Sequence, residues 1–368
     1  MNIGLLGCGV VGGGVLALTQ DRSDIRVTRV LVRRPKEGLP EGAATCDVQD
    51  ILNDAAIDTV VEVMGGVHPA YEYVAAAMER GKHVVTANKA LIAAYYRELT
   101  ALAREKGVAL RYTAAVGGGI PWLVNLARCK RLDTVCAVGG IMNGTTNFIM
   151  DAMHKSPVDF PVILKEAQEL GYAEADPSAD IDGDDIRRKL CISANIAFDT
   201  VLDEETIPTF GIRTVTAADI AAFQAHGFVC KLLAAAERTD RGVCAYVEPT
   251  LVDCGEPEAA VPANYNLIGY VGEQVGRQSF FGQGAGRFPT ASNVVQDCLT
   301  ILAGDRASYT DRVAPVALDL TAEAHPYYVR TGRPDAFLRS VAADTWGAGV
   351  VTGAVNTGEM LAWAKRQL

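Results

Sequence analysis

Between Ala167 and Leu190 the chain reads AQELGYAEADPSADIDGDDIRRKL. Glu174, Asp176, Asp180, Asp182, Asp184, Asp185 and Lys189 fall within sixteen of those positions, with Gly171, Pro177 and Gly183 as punctuation. Asp185 and Lys189 stand four apart, so on a helix predicted to follow Gly183 they share a face. One acceptor and one proton-bearing cation then lie side by side, next to carboxylates suited to gripping an amine. Such a set can hold a small amino acid and move a proton on it. An acidic surface loop would need no lysine in that register.

A framework must hold these groups, and the N-terminal third supplies a recognisable one. Met1–Leu6 reads as a buried strand, followed by Gly7-Cys8-Gly9-Val10-Val11-Gly12 and an apolar helix to about Gln20. In GxGxxG between strand and helix, the first glycine makes the tight turn and the second lets backbone approach a pyrophosphate. The third allows close helix–strand packing, and the helix N-terminus adds positive potential. Val10 and Val11 complete this dinucleotide-binding turn. The second strand, Val27–Val32, ends in Arg33-Arg34 with Lys36 nearby, where an acidic residue would bind a ribose 2′-hydroxyl. Arginine pairs with a 2′-phosphate instead, so the sequence predicts NADP(H) in preference to NAD(H).

Alternation continues with strand Thr59–Val63, helix Pro69–Arg80, strand His83–Thr86, helix Lys89–Lys106 and strand Ala109–Tyr112, which predicts a parallel sheet. The loops Met64-Gly65-Gly66 and Ala87-Asn88-Lys89 follow strand carboxyl ends, where ligands bind in such sheets. Lys89 opens its helix, against the dipole, which marks it as a functional candidate. After the glycine-rich hinge 114–121 the character changes. A strand at Thr134–Met142 and the polar turn 143–147 come first. Helices Phe160–Leu170, Gly183–Phe198 and Thr216–His226 follow, then a hairpin of Val229–Glu237 and Val243–Pro249 and a strand at Glu273–Phe281. These predict an open mixed sheet carrying helices on one face. A second glycine cluster, 282–286, leads into an apolar helix at Ala291–Leu302, and the tail from Gly304 shows no clear architecture.

Composition bounds the rest. The 368 residues are 49% hydrophobic and carry 34 Lys and Arg against 44 Asp and Glu, a formal charge of −10. That excess of acid argues against nucleic-acid or anionic-membrane partners. Nine cysteines without CxxC spacing imply neither a disulfide framework nor a zinc cage, and fit a reducing cytoplasm. No run approaches the ~18 apolar residues of a membrane span.

Taken together, the chain resembles the homoserine dehydrogenases over roughly residues 1–303. The resemblance rests on Gly7–Gly12, GKHVVTANKAL at 81–91, GGIP at 118–121, GIMNGTTNFIM at 140–150, the run 167–190 and GQGAGRFPTAS at 282–292. It implies a discontinuous Rossmann-type dinucleotide domain (1–115 and 285–310) and an α+β catalytic and dimerisation domain (116–284). The activity implied is reversible reduction of L-aspartate 4-semialdehyde to L-homoserine, towards threonine, isoleucine and methionine, in a cytoplasmic homodimer. Position by position, Lys189 matches the family's proton donor, and Asp185 and Glu174 its homoserine-binding carboxylates. Asp180 matches a further acid near substrate, Lys89 the lysine at the substrate–cofactor junction, and Gly171 and Gly286 cofactor-contacting glycines. Gly65 lies at the ligand edge, and Thr145 in the turn approaching substrate. Spacing leaves open whether Lys189 or Lys89 delivers the proton. A related amino-acid-pathway reductase would share the dinucleotide turn but not the 167–190 run.

Three departures stand out. Relatives often carry Glu at the position of Thr113, where it helps bind a monovalent cation (Na⁺ or K⁺) with the carbonyls of Val116, Gly118 and Ile120. A neutral threonine weakens that expectation. Arg34 stands where many relatives have Asp, which strengthens the NADP reading. The tail 311–368 is expected to be a truncated remnant of the family's ACT module, without threonine feedback, and no kinase domain is fused.

Overall fold

In the computed structural model, residues 1–34, 38–156, 158–310 and 313–367 are described, so Lys36 lies outside the described residues. The chain divides into two units, one formed by Met1–Val135, Cys191–Glu204 and Gly272–Ala314, the other by Cys136–Leu190, Glu205–Val271 and Pro315–Leu368.

The first unit is built on a six-stranded sheet. Its strands are β1 (Asn2–Leu6), β2 (Arg26–Leu31), β3 (Ala44–Thr45), β4 (Thr59–Glu62), β5 (His83–Thr86) and β6 (Leu110–Arg111). They lie in the order β3-β2-β1-β4-β5-β6, and every neighbouring pair is parallel. The central strands β1, β4 and β5 are largely apolar because helices cover both faces; Ile3, Leu5, Val61 and Val85 are fully buried. Strand order reverses between β1 and β4, the point at which ligands bind beyond the carboxyl ends of such a sheet. The late helix Arg287–Leu302 packs against the first helix, Val10–Thr19, and a Cβ on Gly14 would fall 2.8 Å from the Ala291 Cβ. This contact ties residues near the end of the unit to its beginning.

Three expectations change here. The helix expected over Lys89–Lys106 is two, Lys89–Ala94 and Tyr96–Lys106. Tyr95 leaves the helical region (φ −126°, ψ 29°) and stacks its ring on Tyr71 at 3.9 Å. The strand expected at Glu273–Phe281 starts at Gly276 and runs to Gln283. Asp133 accepts from the backbone N–H groups of Gln274 and Val275 and holds that stretch as a turn. The helix expected from Ala291 begins four residues earlier, at Arg287.

In the second unit, strands Gly242–Asp253, Phe228–Thr239, Val135–Ile141 and Tyr265–Gly272 lie side by side in that order, and the first three pair antiparallel. The last strand was not anticipated from the sequence. Helix Ala217–Ala225 is closed by a capping box in which Thr216 and Asp219 bond reciprocally. The tail does have architecture. Tyr328–Val329, helix Ala336–Val341, Ala342–Trp346, Gly349–Thr352 and helix Thr357–Lys365 follow one another, with the first strand and the hairpin forming a three-stranded sheet. Leu338, Val355, Met360 and Trp363 make its core. Arg330 and Tyr328 tie it to Asp219 at 3.0 and 2.9 Å. Without regular apolar periodicity, its stability comes from those few long-range contacts, which is why the sequence alone showed no element. No helix among the described residues is long and apolar enough to cross a membrane.

Candidate active site

Helix Asp184–Phe198, whose residues up to Leu190 belong to the second unit, starts directly after Gly183, whose φ of 94° reverses the chain between the short helix Ser178–Ile181 and this one. A side chain there would suffer both left-handed strain and a Cβ only 2.7 Å from the Thr209 methyl. Asp184 and Asp185 occupy the first turn, where negative charge suits the helix dipole. One turn on, Lys189 Nζ donates to Asp185 Oδ2 at 2.7 Å and to the Met142 carbonyl at 2.7 Å. Asp185 is 5% exposed and Lys189 7%, so the ion pair is buried and held by defined partners.

Asn143 joins the acids. Its Nδ2 donates to Asp180 Oδ1 at 2.7 Å and to Asp185 Oδ2 at 2.8 Å, while its Oδ1 accepts from Thr146 N and caps helix Gly144–Lys155. Burial pushes the Asp180 carboxyl up, and the like charge of Asp185 adds to this; Asn143, Lys189 and Thr145 oppose it. Thr145 Oγ also donates to the Tyr172 carbonyl at 2.7 Å, fastening the loop that carries Glu174. Glu174 itself is exposed, and Gln168 Nε2 holds its backbone carbonyl at 3.0 Å. Gly171, also exposed, follows the helix Phe160–Glu169 with φ 76°. Asp182 is committed elsewhere, to a surface ion pair with Arg213, and Asp184 pairs with Arg187 at 3.1 Å.

The first unit carries the nucleotide-binding features. Gly7 takes φ 98°, and a Cβ on Gly12 would lie 2.3 Å from the Gly7 carbonyl, so the turn closes only with glycine. A Cβ on Gly9 would meet nothing within 4 Å, which leaves the backbone N–H face of the helix open, with Val10 exposed beside it. These residues fit a dinucleotide phosphate. Val11 is partly buried and packs on the sheet core, Arg33 and Arg34 are exposed beyond β2, and Gly65 follows β4 with φ 78°.

Sequence reasoning missed the network behind these loops. Glu62, at the end of β4, is fully buried and its carboxyl is raised by desolvation. It accepts from Thr86 Oγ at 2.6 Å and Met64 N at 2.7 Å. Asn88 donates to the Gly66 carbonyl at 2.6 Å and caps the helix that Lys89 opens. The only signal available was an acid ending an otherwise apolar strand. Gly286 precedes the helix Arg287–Leu302 with φ 121°. Lys89 belongs to the first unit and Lys189 to the second.

Comparison with known proteins gives one answer. The family model "Homoserine dehydrogenase" matches residues 121–299, and "Homoserine dehydrogenase, NAD binding domain" matches residues 7–113. A homoserine dehydrogenase of Bacillus subtilis is 38% identical over 323 residues, 84% of this chain and 75% of that protein. One from Synechocystis is 42% identical over 317 residues, 82% and 73% of the two chains. Among solved structures, a homoserine dehydrogenase from Thiobacillus denitrificans superposes with a TM-score of 0.91 at 35% identity, covering 100% of this chain and 94% of that one.

Proposed function

The chain belongs to the homoserine dehydrogenase family, and from that membership we propose how its residues divide the work. The reaction is reversible reduction of L-aspartate 4-semialdehyde to L-homoserine with a nicotinamide cofactor, on the route to threonine, isoleucine and methionine. The bound nicotinamide supplies the hydride. Lys189 stabilises the alkoxide that develops on the former aldehyde oxygen and delivers the proton that completes the alcohol. The observation that carries this reading is the Lys189 ammonium, buried and anchored at 2.7 Å to both Asp185 and the Met142 carbonyl.

Asp185 holds Lys189 in register and binds the substrate hydroxyl. Asp180, kept beside it by Asn143, adds a second acid at the substrate, and Thr145 fixes the loop. Glu174 binds the α-ammonium and so selects against aldehydes that lack one. Lys89 orients the substrate–cofactor junction. Gly7, Gly9, Val10, Val11, Gly12, Gly65, Gly171 and Gly286 line the cofactor, and Arg33 with Arg34 favours NADP(H) over NAD(H). The protein is a homodimer of the cytoplasm, where its nine cysteines stay reduced. Residues 311–368 derive from the family's regulatory module. From Tyr328 on, their three-stranded sheet and two helices run in an order like the start of the ferredoxin-like β-α-β-β-α-β arrangement, with the two-residue strand Val355–Asn356 added before the last helix.

The test is NADPH oxidation with aspartate semialdehyde by the wild type and Lys189→Ala. Loss of turnover with NADPH binding intact supports the assignment. A near-wild-type rate in Lys189→Ala refutes it and moves the proton to Lys89.

A further inference from the structure

The loop 116–121 follows a turn of 3-10 helix, Thr113–Ala115, and the resemblance assigns the Val116, Gly118 and Ile120 carbonyls to a monovalent cation. The residues present do not fit that ion. Asn293, 6% exposed on the helix Arg287–Leu302, donates its Nδ2 hydrogens to the Gly118 carbonyl at 2.6 Å and the Ile120 carbonyl at 3.0 Å. A cation bridging these two oxygens would compete for the lone pairs that receive those hydrogens and would face a positively polarised amide nitrogen. Thr113 adds no charge. Its Oγ lies 2.7 Å from Asp297 Oδ1 and 2.5 Å from the Tyr309 hydroxyl, and its backbone N donates to Asp297 Oδ2 at 2.9 Å. A cavity of about 820 Å³ is lined by Thr113, Asn293 and Asp297 among others. Among the described residues no cluster of His, Cys, Asp and Glu is placed to hold a metal.

We propose that the Asn293 amide does the work of the cation: it is a positioning residue that fixes the loop 116–121, and the enzyme operates independently of Na⁺ and K⁺. The loop matters to the cofactor side of the same unit. Gly119 N donates to the Gln283 carbonyl at 3.1 Å, and a Cβ on Gly118 would lie 2.4 Å from the Gly284 carbonyl. Loosening the loop therefore disturbs the glycine cluster that ends at Gly286. This inference holds whichever lysine delivers the proton.

The experiment uses the full chain at constant ionic strength, with tetramethylammonium exchanged for Na⁺ or K⁺. Melting temperature, NADPH affinity by fluorescence and kcat/KM are followed. The wild type is expected to hold NADPH affinity and kcat/KM constant to within about twofold and its melting temperature unchanged. Asn293→Asp sets an anionic oxygen against two carbonyl oxygens, a clash that a cation relieves. Its NADPH affinity is expected to fall about tenfold and to recover in a saturable way with Na⁺ or K⁺. Asn293→Ala, which frees the carbonyls without adding charge, is expected to show a weaker form of the same recovery. A saturable cation response in the wild type overturns the proposal, and so do variants whose affinity and melting ignore Na⁺ and K⁺.

Discussion

The side-chain amide of Asn143 donates to Asp185 at 2.8 Å, and the same nitrogen reaches Asp180 at 2.7 Å. Two carboxylates that would otherwise repel are held together by one donor, and Lys189 balances the charge at 2.7 Å from Asp185. The arrangement concentrates acceptors around one ammonium in a buried setting, where each electrostatic contact counts for more than it would in water.

Removing Lys189 should separate catalysis from cofactor binding. Lys189→Ala is expected to lower kcat by about 10²–10⁴-fold, the usual contribution of a positioned proton donor. NADPH affinity should stay near wild type. The variant also leaves Asp185 buried without its cation, so it should lose about 3–5 kcal/mol of stability. Stopped-flow turnover and urea denaturation check the two halves separately, and full activity in the variant would refute the role.

Asn143→Ala removes both the bridge between the acids and a helix cap. The cap alone is worth about 0.5–2 kcal/mol. Asp180 and Asp185 then repel without a shared donor, and KM for aspartate semialdehyde should rise along with the fall in stability. An Asn143→Ala enzyme with wild-type KM would show that the bridge does not shape the substrate site.

Cofactor choice should follow Arg34. Arg34→Asp replaces a phosphate partner by an acceptor for the ribose hydroxyl. The ratio of kcat/KM for NADPH over NADH is expected to fall by about 10- to 100-fold, the worth of one charge-assisted bond. An unchanged ratio would remove the second strand from the specificity argument.

Asp297 sets a pH dependence. It is wholly buried, and desolvation pushes its carboxyl from 3.8 up to about 6 despite the bonds from Thr113. A raised folded value favours the protonated form in the native state. The associated stability is therefore present in full below pH 3.8 and is lost as pH rises through about 6. Asp297→Asn cannot ionise, so its stability relative to wild type should improve by about 3 kcal/mol between acid and neutral pH. Denaturant midpoints across that range test this, and a gap that does not change with pH would contradict it.

The sequence by itself determined whatever depends on near neighbours along the chain. Strand–helix alternation and the Gly7–Gly12 turn specified five of the six parallel strands, because apolar periodicity and glycine geometry are local properties, whereas the two-residue edge strand Ala44–Thr45 is too short to carry a pattern. Asp185 and Lys189 could be paired in advance because four residues is one helical turn. Tertiary structure alone decided the partners that complete each site. Asn143 meets Asp180 across 37 residues, Asn293 reaches Gly118 across 175, and Arg330 reaches Asp219 across 111. An asparagine before a helix announces a cap, but its second function depends on which distant atoms folding brings within 3 Å. Such hydrogen bonds leave no periodic trace in the sequence, so the pairing of Asp185 with Lys189 could be read early, while the amide that steadies them became visible only in the folded chain.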